Sequence, residues 1–566
     1  MKVNILSIAI ILALFLISCN KVLDTKPLDI YSGEDVWNDL NLTDGFVYNT
    51  YRSAWGLYVP AGDGGTFASE DWTDNVGDYG ANSVADETID RFYDGGFDNY
   101  ASIRQCNLII EKVAASKGIL EKDKPRLIGE AKLLRAYINY FQVKKFGHFM
   151  KVDTVLTPES DLKLPLASTK VCYDFILSDL DDAAQGLPDD AEKGRATKSA
   201  AWALKSEVAL QAAAYIGTDK VTYYTAAKTA CESILSTGKY SLDPDYNKLF
   251  NNYSYAFGSS EIILGDFRSA DNTTFSSTPM QYLCPNSGAQ KQKPGTWPIL
   301  VETFEGWIGR YPTQDLVDNY LVIDEDGVAK KWDQTAMYQK YVTNGGYVSD
   351  FMYKNRDKRF YASITYDSTK YFNNLITTRI NGNMSDATIY GTWGVTHSSY
   401  FFIKGMYQDK KLWYSDATPY SLPIFRLGRV YMNYTEALLR LDQTSLAIEA
   451  MNNTREIHGG LPALSTSLSS EEAWNYYKIE RRVELPLEDD RYISLLRWGK
   501  EAGGDVIPEL NVALHGLEIT EDGKSFTIII LPFDDQRKFS VKRYLFPIPE
   551  GQRQLNENLG EQNLGW

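Results

Sequence analysis

A cysteine near the amino terminus lies in a sequence that indicates covalent chemistry. Lys2 precedes an apolar run of about 13 residues, Ile5 to Ile17, which is followed by Ser18 and Cys19. The run is shorter than the roughly 20 residues that cross a bilayer as a permanent helix. A short apolar run that ends at a small residue is typical of a cleaved secretory signal. We therefore predict that residues 1–18 are a signal peptide and that cleavage leaves Cys19 as the first residue.

The residues around this cysteine, Leu16-Ile17-Ser18-Cys19, resemble a bacterial lipobox. In that motif the cysteine thiol carries a diacylglyceryl group and the freed amine carries a third acyl chain. Two or more chains hold a protein stably on a membrane, whereas a single chain binds reversibly. The resemblance implies that Cys19 is the lipidation site and that the protein is attached to a membrane through it.

Other residues that catalyse reactions or bind metals lack the spacing that such sites need. The sequence contains no HExxH, GxSxG, P-loop or Rossmann glycine pattern. Two acidic groups, Asp71/Asp74/Asp78 and Asp324/Asp326, could suggest calcium, but neither completes an EF-hand loop. We predict no enzymatic activity, no cofactor and no metal. Four scattered histidines are each interpreted as hydrogen-bonded loop residues: His148, His397, His458 and His515.

Aromatic residues are abundant, with 38 Tyr, 24 Phe and 12 Trp. Many of these rings can pack between helices, where a tyrosine hydroxyl also finds a hydrogen-bond partner. The same rings can stack on the face of a sugar, and several of them fall in Gly-rich stretches without helical periodicity. For each such residue the alternative is a place in the core. The predicted ligand-binding residues are Trp72, Tyr79, Tyr93, Tyr282, Trp297, Trp307 and Trp393.

The charge and the cysteines exclude other classes of protein. A formal net charge of −16 without a basic block argues against binding to nucleic acid, which depends on counterion release. The cysteines beyond Cys19 are isolated and show no zinc spacing. We interpret them as small buried hydrophobic residues. They are Cys106, Cys172, Cys231 and Cys284.

Two blocks, at about residues 97–240 and 425–500, have sustained helical periodicity. Many inward positions are Ala, which favours closely stacked antiparallel helix pairs of tetratricopeptide type. Ser469 and Glu472 form a predicted capping box that begins a helix. The predicted fold is mostly α. The predicted inward stripes include Leu127, Ala131, Leu134, Ile138 and Phe141 in the first block, and Leu446, Ala450, Thr454 and Ile457 in the second.

Long irregular segments lie outside these blocks, at residues 60–96 and 241–424. The second includes a short β-prone run at residues 261–264. Long irregular segments in a compact protein usually carry function or are disordered, and their aromatic content argues against disorder. We predict that both segments contribute to ligand binding.

Charged residues within the helical blocks are interpreted as scaffold. Glu480, Arg481, Arg482 and Glu484 alternate in sign at helical spacing, which suits an ion-pair network on one helix. Two further pairings are predicted, Glu130 with Arg135, and Arg491 with Asp489 or Asp490. The terminal Trp566 is expected to fill a hydrophobic pocket.

A series of short motifs extends along the whole mature chain and resembles the SusD/RagB family of outer-membrane nutrient-binding lipoproteins of Bacteroidetes. Two departures are Leu564, where the family favours Pro, and Phe97, where it favours Trp. The motifs are Leu23-Asp24-Thr25-Lys26-Pro27, Gly129 to Tyr137, Phe146-Gly147, Gly194-Arg195-Ala196-Thr197-Lys198, Pro312 to Val317, Arg356 to Phe360, Asn433 to Ala437, Glu480 to Leu485, Arg491-Tyr492, Leu496 to Gly499, Phe546 to Pro549 and Gln562 to Trp566.

The resemblance implies a tetratricopeptide-like helical scaffold with irregular ligand loops, tethered at the cell surface, that caps a SusC-like TonB-dependent transporter. It implies an outer-membrane location and a non-catalytic role in binding glycan for uptake. The alternatives are a binder of peptides and, less favoured, a surface glycoside hydrolase, since two carboxylates in a cleft suffice for that chemistry. The chain is divided as signal peptide 1–18, an N-terminal part 19–240 with ligand loop 60–96, and a C-terminal part 241–566.

Overall fold

The structure is a computed structural model that describes residues 33–56, 69–286, 304–385, 396–408 and 413–566. Helices dominate these residues, and consecutive long helices pack against one another. The mostly α fold predicted from the periodicity is confirmed. The first seven helices are α1 (Gly33–Asn38), α2 (Leu40–Trp55), α3 (Tyr100–Ala115), α4 (Lys124–Phe146), α5 (Thr169–Gly186), α6 (Lys198–Ile216) and α7 (Lys220–Leu235).

Helix α4 shows why this block folds as stacked pairs. Leu127, Ala131, Leu134 and Ile138 are fully buried, as the periodicity predicts, and Phe141 is partly buried. Helix α4 contacts both α3 and α5, so it is covered on more than one side. Small residues such as Ala allow this close approach of backbones.

The middle of the chain is built from short elements. Residues 262–264 of the predicted β-prone run lie in strand β2, which confirms the strand and begins it one residue later. The helices are α8 (Tyr246–Asn251), α9 (Tyr253–Gly258), α10 (Met280–Leu283), α11 (Gln314–Val317), α12 (Ala336–Asn344), α13 (Val348–Met352) and α14 (Lys358–Ser363). The strands are β1 (Val76–Gly77), β2 (Ile262–Arg268), β3 (Tyr311–Pro312), β4 (Val322–Ile323), β5 (Ala329–Lys330), β6 (Ile364–Thr365), β7 (Thr369–Tyr371), β8 (Asn374–Ile376), β9 (Phe401–Phe402) and β10 (Tyr420–Arg426).

The C-terminal part adds helices α15 (Leu427–Arg440), α16 (Thr444–Ile457), α17 (Ser470–Glu484), α18 (Arg491–Ala502) and α19 (Glu550–Leu555), with strands β11 (His515–Ile519) and β12 (Phe526–Ile530). The described strands form six two-stranded antiparallel pairs: β1–β3, β2–β10, β4–β5, β6–β9, β7–β8 and β11–β12.

Two details of the C-terminal helices test the sequence patterns. The capping box that begins α17 is present, with reciprocal hydrogen bonds between Ser469 and Glu472. The inward stripe predicted for α16 is partly wrong, because Leu446 and Ile457 are exposed. Ala450 and Thr454 of the predicted stripe are buried, together with Ala447, Ile448, Met451 and Arg455, so the packed face is rotated from the predicted one.

Hydrophobic residues distant in sequence share each large core. One core combines helices α2–α7 with Phe425, Leu427 and Val430. Another joins Trp72 and Phe97 to the C-terminal helices, and a third gathers the short elements of residues 275–407 with parts of the C-terminal region. Trp566 packs against the second of these cores, and its ring nitrogen donates to the backbone oxygens of Lys542 and Leu545. This agrees with the predicted pocket-filling role.

The four isolated cysteines are buried, as predicted. Cys106, Cys172, Cys231 and Cys284 are all buried free thiols. Burial raises the pKa of each thiol to about 12, so they remain protonated at neutral pH.

Ion pairs predicted within single helices connect separate elements. Glu130 pairs with Arg195 and Arg126 rather than with Arg135, because residues five apart do not lie on one helical face. Arg135 pairs with Asp179 on α5. The Arg126–Glu130 pair lies within α4, the Arg195–Glu130 pair joins α4 to the loop before α6, and the Arg135–Asp179 pair joins α4 to α5.

The charged residues of α17 also form ion pairs with residues outside that helix. Glu480 pairs with Arg359 and Arg455, while Arg481 pairs with Asp490. Arg482 contacts Asp74 from the first irregular segment.

The predicted partner of Arg491 is also corrected. Arg491 pairs with Asp74, with Nε···Oδ1 at 3.0 Å, rather than with Asp489 or Asp490. Asp489 instead pairs with Lys144. The charged residues of the motifs therefore belong to the scaffold, as expected. Their ion-pair partners, however, lie on other elements of the molecule.

Candidate functional site

An exposed tryptophan lies on a segment, residues 304–310, that runs alongside residues 281–285. Four backbone amides of the segment donate to carbonyl oxygens of that neighbouring stretch, at N···O distances of 2.7–3.1 Å. The two backbones approach so closely at Gly306 that a Cβ there would overlap the carbonyl oxygen of Cys284. Glycine is therefore required at this position, and the segment is fixed before any ligand binds.

Two predicted ligand residues, Tyr282 and Trp307, are brought together by this arrangement. Their rings meet edge to face, with centroids 5.5 Å apart and planes at 90°. Trp307 is 46% exposed, which is high for so large an apolar side chain. Tyr282 is half-buried and supports it. Trp307 is therefore an exposed aromatic side chain of the kind that stacks on a sugar or another flat apolar surface.

A buried ion pair holds the base of the same segment. The guanidinium of Arg310 donates to both carboxylate oxygens of Asp71 at 2.7–3.0 Å, and both side chains are buried. Burial raises the pKa of Asp71 to about 7, although Arg310 opposes this shift. The Arg310 guanidinium also lies 5.3 Å from the ring centre of Tyr282. Arg310 thus connects the aromatic pair to the first irregular segment.

Tyr79, a third predicted residue, lies beside this connection. Its ring packs against Tyr311 at 5.7 Å and against His397 at 4.9 Å. Tyr311 follows Arg310 directly and belongs to β3, which pairs with β1 of the first irregular segment. The two irregular segments therefore meet along the β1–β3 pair, with Tyr79 as the predicted ligand residue at that contact.

Sequence reasoning missed Tyr414, whose backbone contacts Glu305 of the segment 304–310. Its side chain is 52% exposed, and its backbone amide donates to Glu305 Oε2 at 2.7 Å. Glu305 lies two residues before Trp307. Tyr414 does fall within the irregular segment 241–424, so its residue type and location were the available signal. We define Tyr282, Trp307 and Tyr414 as the aromatic surface.

Two of the other predicted residues, Trp72 and Tyr93, lie apart from the aromatic surface. Trp72 is only 7% exposed and packs edge to face against Tyr492 and Phe546 at 5.2 and 5.3 Å. Tyr93 contacts Phe546 in the same core. Both placements favour the scaffold alternative for these residues. Trp297, Trp393 and Cys19 lie outside the described residues.

Acidic residues of the two groups considered for calcium contact basic side chains of the protein. Asp71 binds Arg310, and Asp74 binds Arg482 and Arg491. In the second group, the ammonium of Lys330 lies 2.7 Å from Asp324 and 2.6 Å from Asp326. Basic side chains of the protein therefore neutralise these carboxylates.

One group of possible metal ligands, Glu261, His458 and Glu484, lies in the interior, and all three are buried. His458 contacts Glu484 at 2.9 Å and Glu261 at 3.0 Å. The guanidinium of Arg426 also contacts both carboxylates, at 2.9 Å to Glu261 and 2.6 Å to Glu484. The guanidinium already neutralises both carboxylates, and we assign the group to the scaffold.

His458 is hydrogen-bonded and lies outside a helix, as predicted, but it belongs to a buried network of charges. It caps the C-terminus of α16 and is fully enclosed. Burial alone would lower its pKa, but Glu484 and Glu261 outweigh burial and raise the pKa to about 9. His458 is therefore a positive charge of the buried network at neutral pH.

Comparisons with known proteins agree with the resemblance seen in the motifs. The model of the SusD family matches residues 260–566, more than half of the chain, and a model described as starch-binding associating with outer membrane matches residues 61–210. A SusD-like protein from Formosa agariphila is 23% identical over 528 residues, which cover 85% of this chain and 88% of that protein.

Solved structures show the same fold. A SusD-like protein from Bacteroides fragilis superposes with a TM-score of 0.75 at 25% identity, covering 96% of this chain and all of that one. A SusD-like carbohydrate binding protein from the same species also gives a TM-score of 0.75, at 19% identity, covering 93% of this chain and 100% of the other. Within the described part of the chain, no helix has the length and apolar character needed to cross a membrane.

Proposed function

This chain belongs to the SusD family, and from that premise we propose that it is a non-catalytic binding protein that captures extracellular glycan and delivers it to a SusC-like TonB-dependent transporter. The proposal places it at the outer membrane, exposed at the cell surface and anchored through lipid on Cys19. One family model is described as starch-binding and outer-membrane associated, and one structural neighbour is a carbohydrate binding protein. Both descriptions support glycan as the ligand.

The aromatic surface is the observation that carries the proposal. Trp307 and Tyr414 expose large rings on a rigid support, and Tyr282 backs Trp307. Sugar binding uses flat apolar faces together with a few polar groups that hydrogen-bond hydroxyls. Because the supporting segment is held by backbone hydrogen bonds and by the Arg310–Asp71 pair, the rings are positioned without a large ordering cost on binding.

The carboxylates of this surface support binding rather than hydrolysis. Glycoside hydrolysis requires two carboxyl groups that flank the scissile bond, one of them able to donate a proton. Asp71 is buried and engaged on both oxygens by Arg310. Glu305 accepts a hydrogen bond from the Tyr414 amide. Each therefore has a structural contact that chemistry at the carboxylate would break.

The test of the binding site compares alanine variants against a panel of polysaccharides, oligosaccharides and peptide mixtures. Trp307→Ala and Tyr414→Ala should each weaken glycan binding by about tenfold, since a stacked ring contributes on the order of 1 kcal/mol and a central ring more. Tyr347→Ala is the matched control, because Tyr347 is 51% exposed and lies elsewhere. Isothermal titration calorimetry gives the affinities. Unchanged affinity in both site variants would place the site elsewhere.

The same preparations test the non-catalytic role. Prolonged incubation with a bound glycan should release no new reducing ends. Release of oligosaccharide would favour the glycoside hydrolase alternative, while binding of peptides but no glycan would favour peptide uptake.

The anchor and the partner are tested in cells. Cys19→Ala should leave the protein unacylated and outside the outer-membrane fraction, because the proposed anchor is lipid. A mild-detergent pull-down of the wild-type protein should recover a second chain the size of a large β-barrel. Unchanged detergent partitioning of Cys19→Ala would refute the anchor, and recovery of the lipoprotein alone would contradict the transporter complex.

A further inference from the structure

A cavity of about 370 Å³ lies between the start of helix α3, the chain at residues 150–164 and helix α19. It shares no residue with the aromatic surface. Most of its lining is apolar, and ligand cavities of this size are usually apolar with a few polar groups that orient the ligand. The aliphatic and thioether side chains of the lining are Ala101, Met150, Val152, Leu156, Leu162 and Leu164.

Hydrogen bonds hold the walls of this cavity in place. The side-chain amide of Asn107 on α3 donates to the backbone oxygens of Val152 at 3.2 Å and Thr154 at 2.8 Å. Asn556, directly after α19, donates to the backbone oxygen of Leu164 at 2.8 Å. These bonds join the three parts of the wall. The cavity is therefore formed before a ligand binds, which lowers the ordering cost of binding.

Two residues of opposite charge, Asp98 and Arg104, also line the cavity, and both are exposed to solvent. Asp98 accepts one long hydrogen bond, from the Tyr100 amide at 3.4 Å. Among the residues that the structure describes, neither Asp98 nor Arg104 has an ion-pair partner. A ligand can therefore reach both charges without breaking an existing ion pair.

Basic residues beside the cavity are already paired, which sets Arg104 apart. Lys151 lies 2.7 Å from Asp153, and Lys163 lies 3.3 Å from Glu557. Both lysines are next to lining residues in the chain. The guanidinium of Arg104, in contrast, remains available to an anionic group of a ligand.

The spacing of the two charges limits the length of a ligand that contacts both. Asp98 lies two residues before α3, and Arg104 lies in the second turn of that helix. Six residues of helix rise about 9 Å, at about 1.5 Å per residue. An extended di- or tripeptide spans about 7–10 Å. The two charged ends of such a peptide therefore match the two charges of the cavity.

Other classes of ligand match this lining less well. A sugar would place hydroxyl groups against aliphatic side chains, and polar groups buried without hydrogen bonds cost free energy. A fatty acid would match the aliphatic side chains and Arg104. Its carboxylate would, however, lie beside Asp98 without a cation to neutralise that residue.

We propose that this cavity binds apolar peptides of two or three residues through their free termini. The peptide ammonium group pairs with Asp98, the carboxylate pairs with Arg104, and the apolar side chains pack on the aliphatic lining. The site is separate from the aromatic surface, so the proposal stands independently of glycan binding.

The probe is the tripeptide Leu-Ala-Leu, titrated into the purified full-length protein by isothermal titration calorimetry. Acetylation of its amine and amidation of its carboxylate should each weaken binding by about fivefold, because each removes one exposed ion pair. Ser-Ala-Ser has the same termini without the apolar side chains. It should bind at least about tenfold more weakly, since little apolar surface is then buried.

Two conservative variants assign each terminus of the probe. Arg104→Gln should weaken binding of Leu-Ala-Leu by about fivefold and remove the effect of amidation, while the effect of acetylation remains. Asp98→Asn should remove the effect of acetylation and keep that of amidation. Arg52→Gln, at an exposed position of α2, is the charge-matched control and should bind like wild type.

A third variant, Ala101→Trp, tests whether the probe occupies the cavity. Ala101 is an exposed lining residue, so a large ring there should fill the cavity and weaken binding by at least about tenfold. Circular dichroism verifies that each variant is folded.

Four results would overturn the proposal. They are the absence of measurable binding of Leu-Ala-Leu to wild type, equal binding of the free and blocked peptides, wild-type affinity in both Arg104→Gln and Asp98→Asn, and loss of peptide binding in Trp307→Ala. Displacement of the tripeptide by dodecanoate, with dodecanoate affinity unchanged in Asp98→Asn, would instead assign the cavity to an anionic amphiphile. Loss of glycan binding in Trp307→Ala with peptide binding retained would support two separate sites.

Discussion

At the scale of single residues, exposure separates aromatic side chains that sequence reasoning treats alike. Trp72 and Trp307 both lie in irregular segments, and both were predicted to contact ligand. Trp72 is 7% exposed and Trp307 is 46% exposed. The first completes a core with Tyr492 and Phe546, while the second is available to a partner.

Trp72→Ala should therefore lower stability without changing glycan affinity. Removing a buried Trp costs about 3–5 kcal/mol, because a cavity remains where the ring packed. Urea unfolding measures the free energy of unfolding, and calorimetry on the folded fraction measures affinity. A loss of glycan affinity with an unchanged free energy of unfolding would indicate that Trp72 belongs to the binding site.

His458 makes stability depend on pH. Its folded pKa of about 9 lies above the ordinary 6.5 because Glu484 and Glu261 outweigh burial. A raised pKa means that the folded state holds the proton more tightly than the unfolded state. The stabilisation is complete below pH 6.5 and is lost as pH rises through about 9.

His458→Gln should flatten the fall in unfolding free energy between pH 6.5 and 9 by on the order of 3 kcal/mol. Glu70, whose pKa burial raises to about 8, adds a decline of the same sign that the variant retains. Ser469→Ala is the control, since it removes a helix cap without titrating in this range and should keep the wild-type slope. An identical slope in His458→Gln and wild type would contradict the assignment.

At the scale of elements, the segment 304–310 owes its position to close backbone contact rather than to its own secondary structure. Gly306 permits that contact, because a side chain there would overlap the carbonyl of Cys284. Trp307 is the next residue, so the path of the segment determines where its ring points.

Gly306→Ala should displace the segment and reduce glycan affinity by about tenfold or more, as Trp307→Ala does. Forcing a methyl group into a packed contact should also lower stability by about 1–3 kcal/mol. Gly258→Ala is the matched control, because a Cβ there would meet no neighbouring atom. Wild-type affinity in Gly306→Ala would show that the ring position does not depend on this contact.

At the scale of the whole molecule, buried charges connect elements that are distant in sequence. Arg426 at the end of β10 contacts Glu261 from β2's N-terminal flank, Glu484 from α17 and Glu488. All four side chains are buried. A buried charge that loses its partner costs several kcal/mol, so this junction depends on every member.

Arg426→Met should lower the free energy of unfolding by about 3–5 kcal/mol or prevent folding at 37 °C, because three carboxylates lose a shared partner. Arg268→Met, at the other end of the β2–β10 pair, should cost less than about 1 kcal/mol, since Arg268 pairs with Asp266 near the surface. Urea unfolding compares the two variants. Equal losses in both would show that the network does not determine stability.

The sequence by itself determined the helical blocks, the capping box before α17, the buried cysteines and the family, since each depends on local spacing or on short motifs. Only the tertiary structure decided the ion-pair partners of Glu130, Arg481 and Arg491, because charges of one helix can pair with any element packed against it. It alone showed that the Tyr414 backbone contacts Glu305, two residues before Trp307, and that Trp72 is enclosed. Residue type indicates what a ring can bind, but exposure and neighbours depend on contacts between segments that lie hundreds of residues apart.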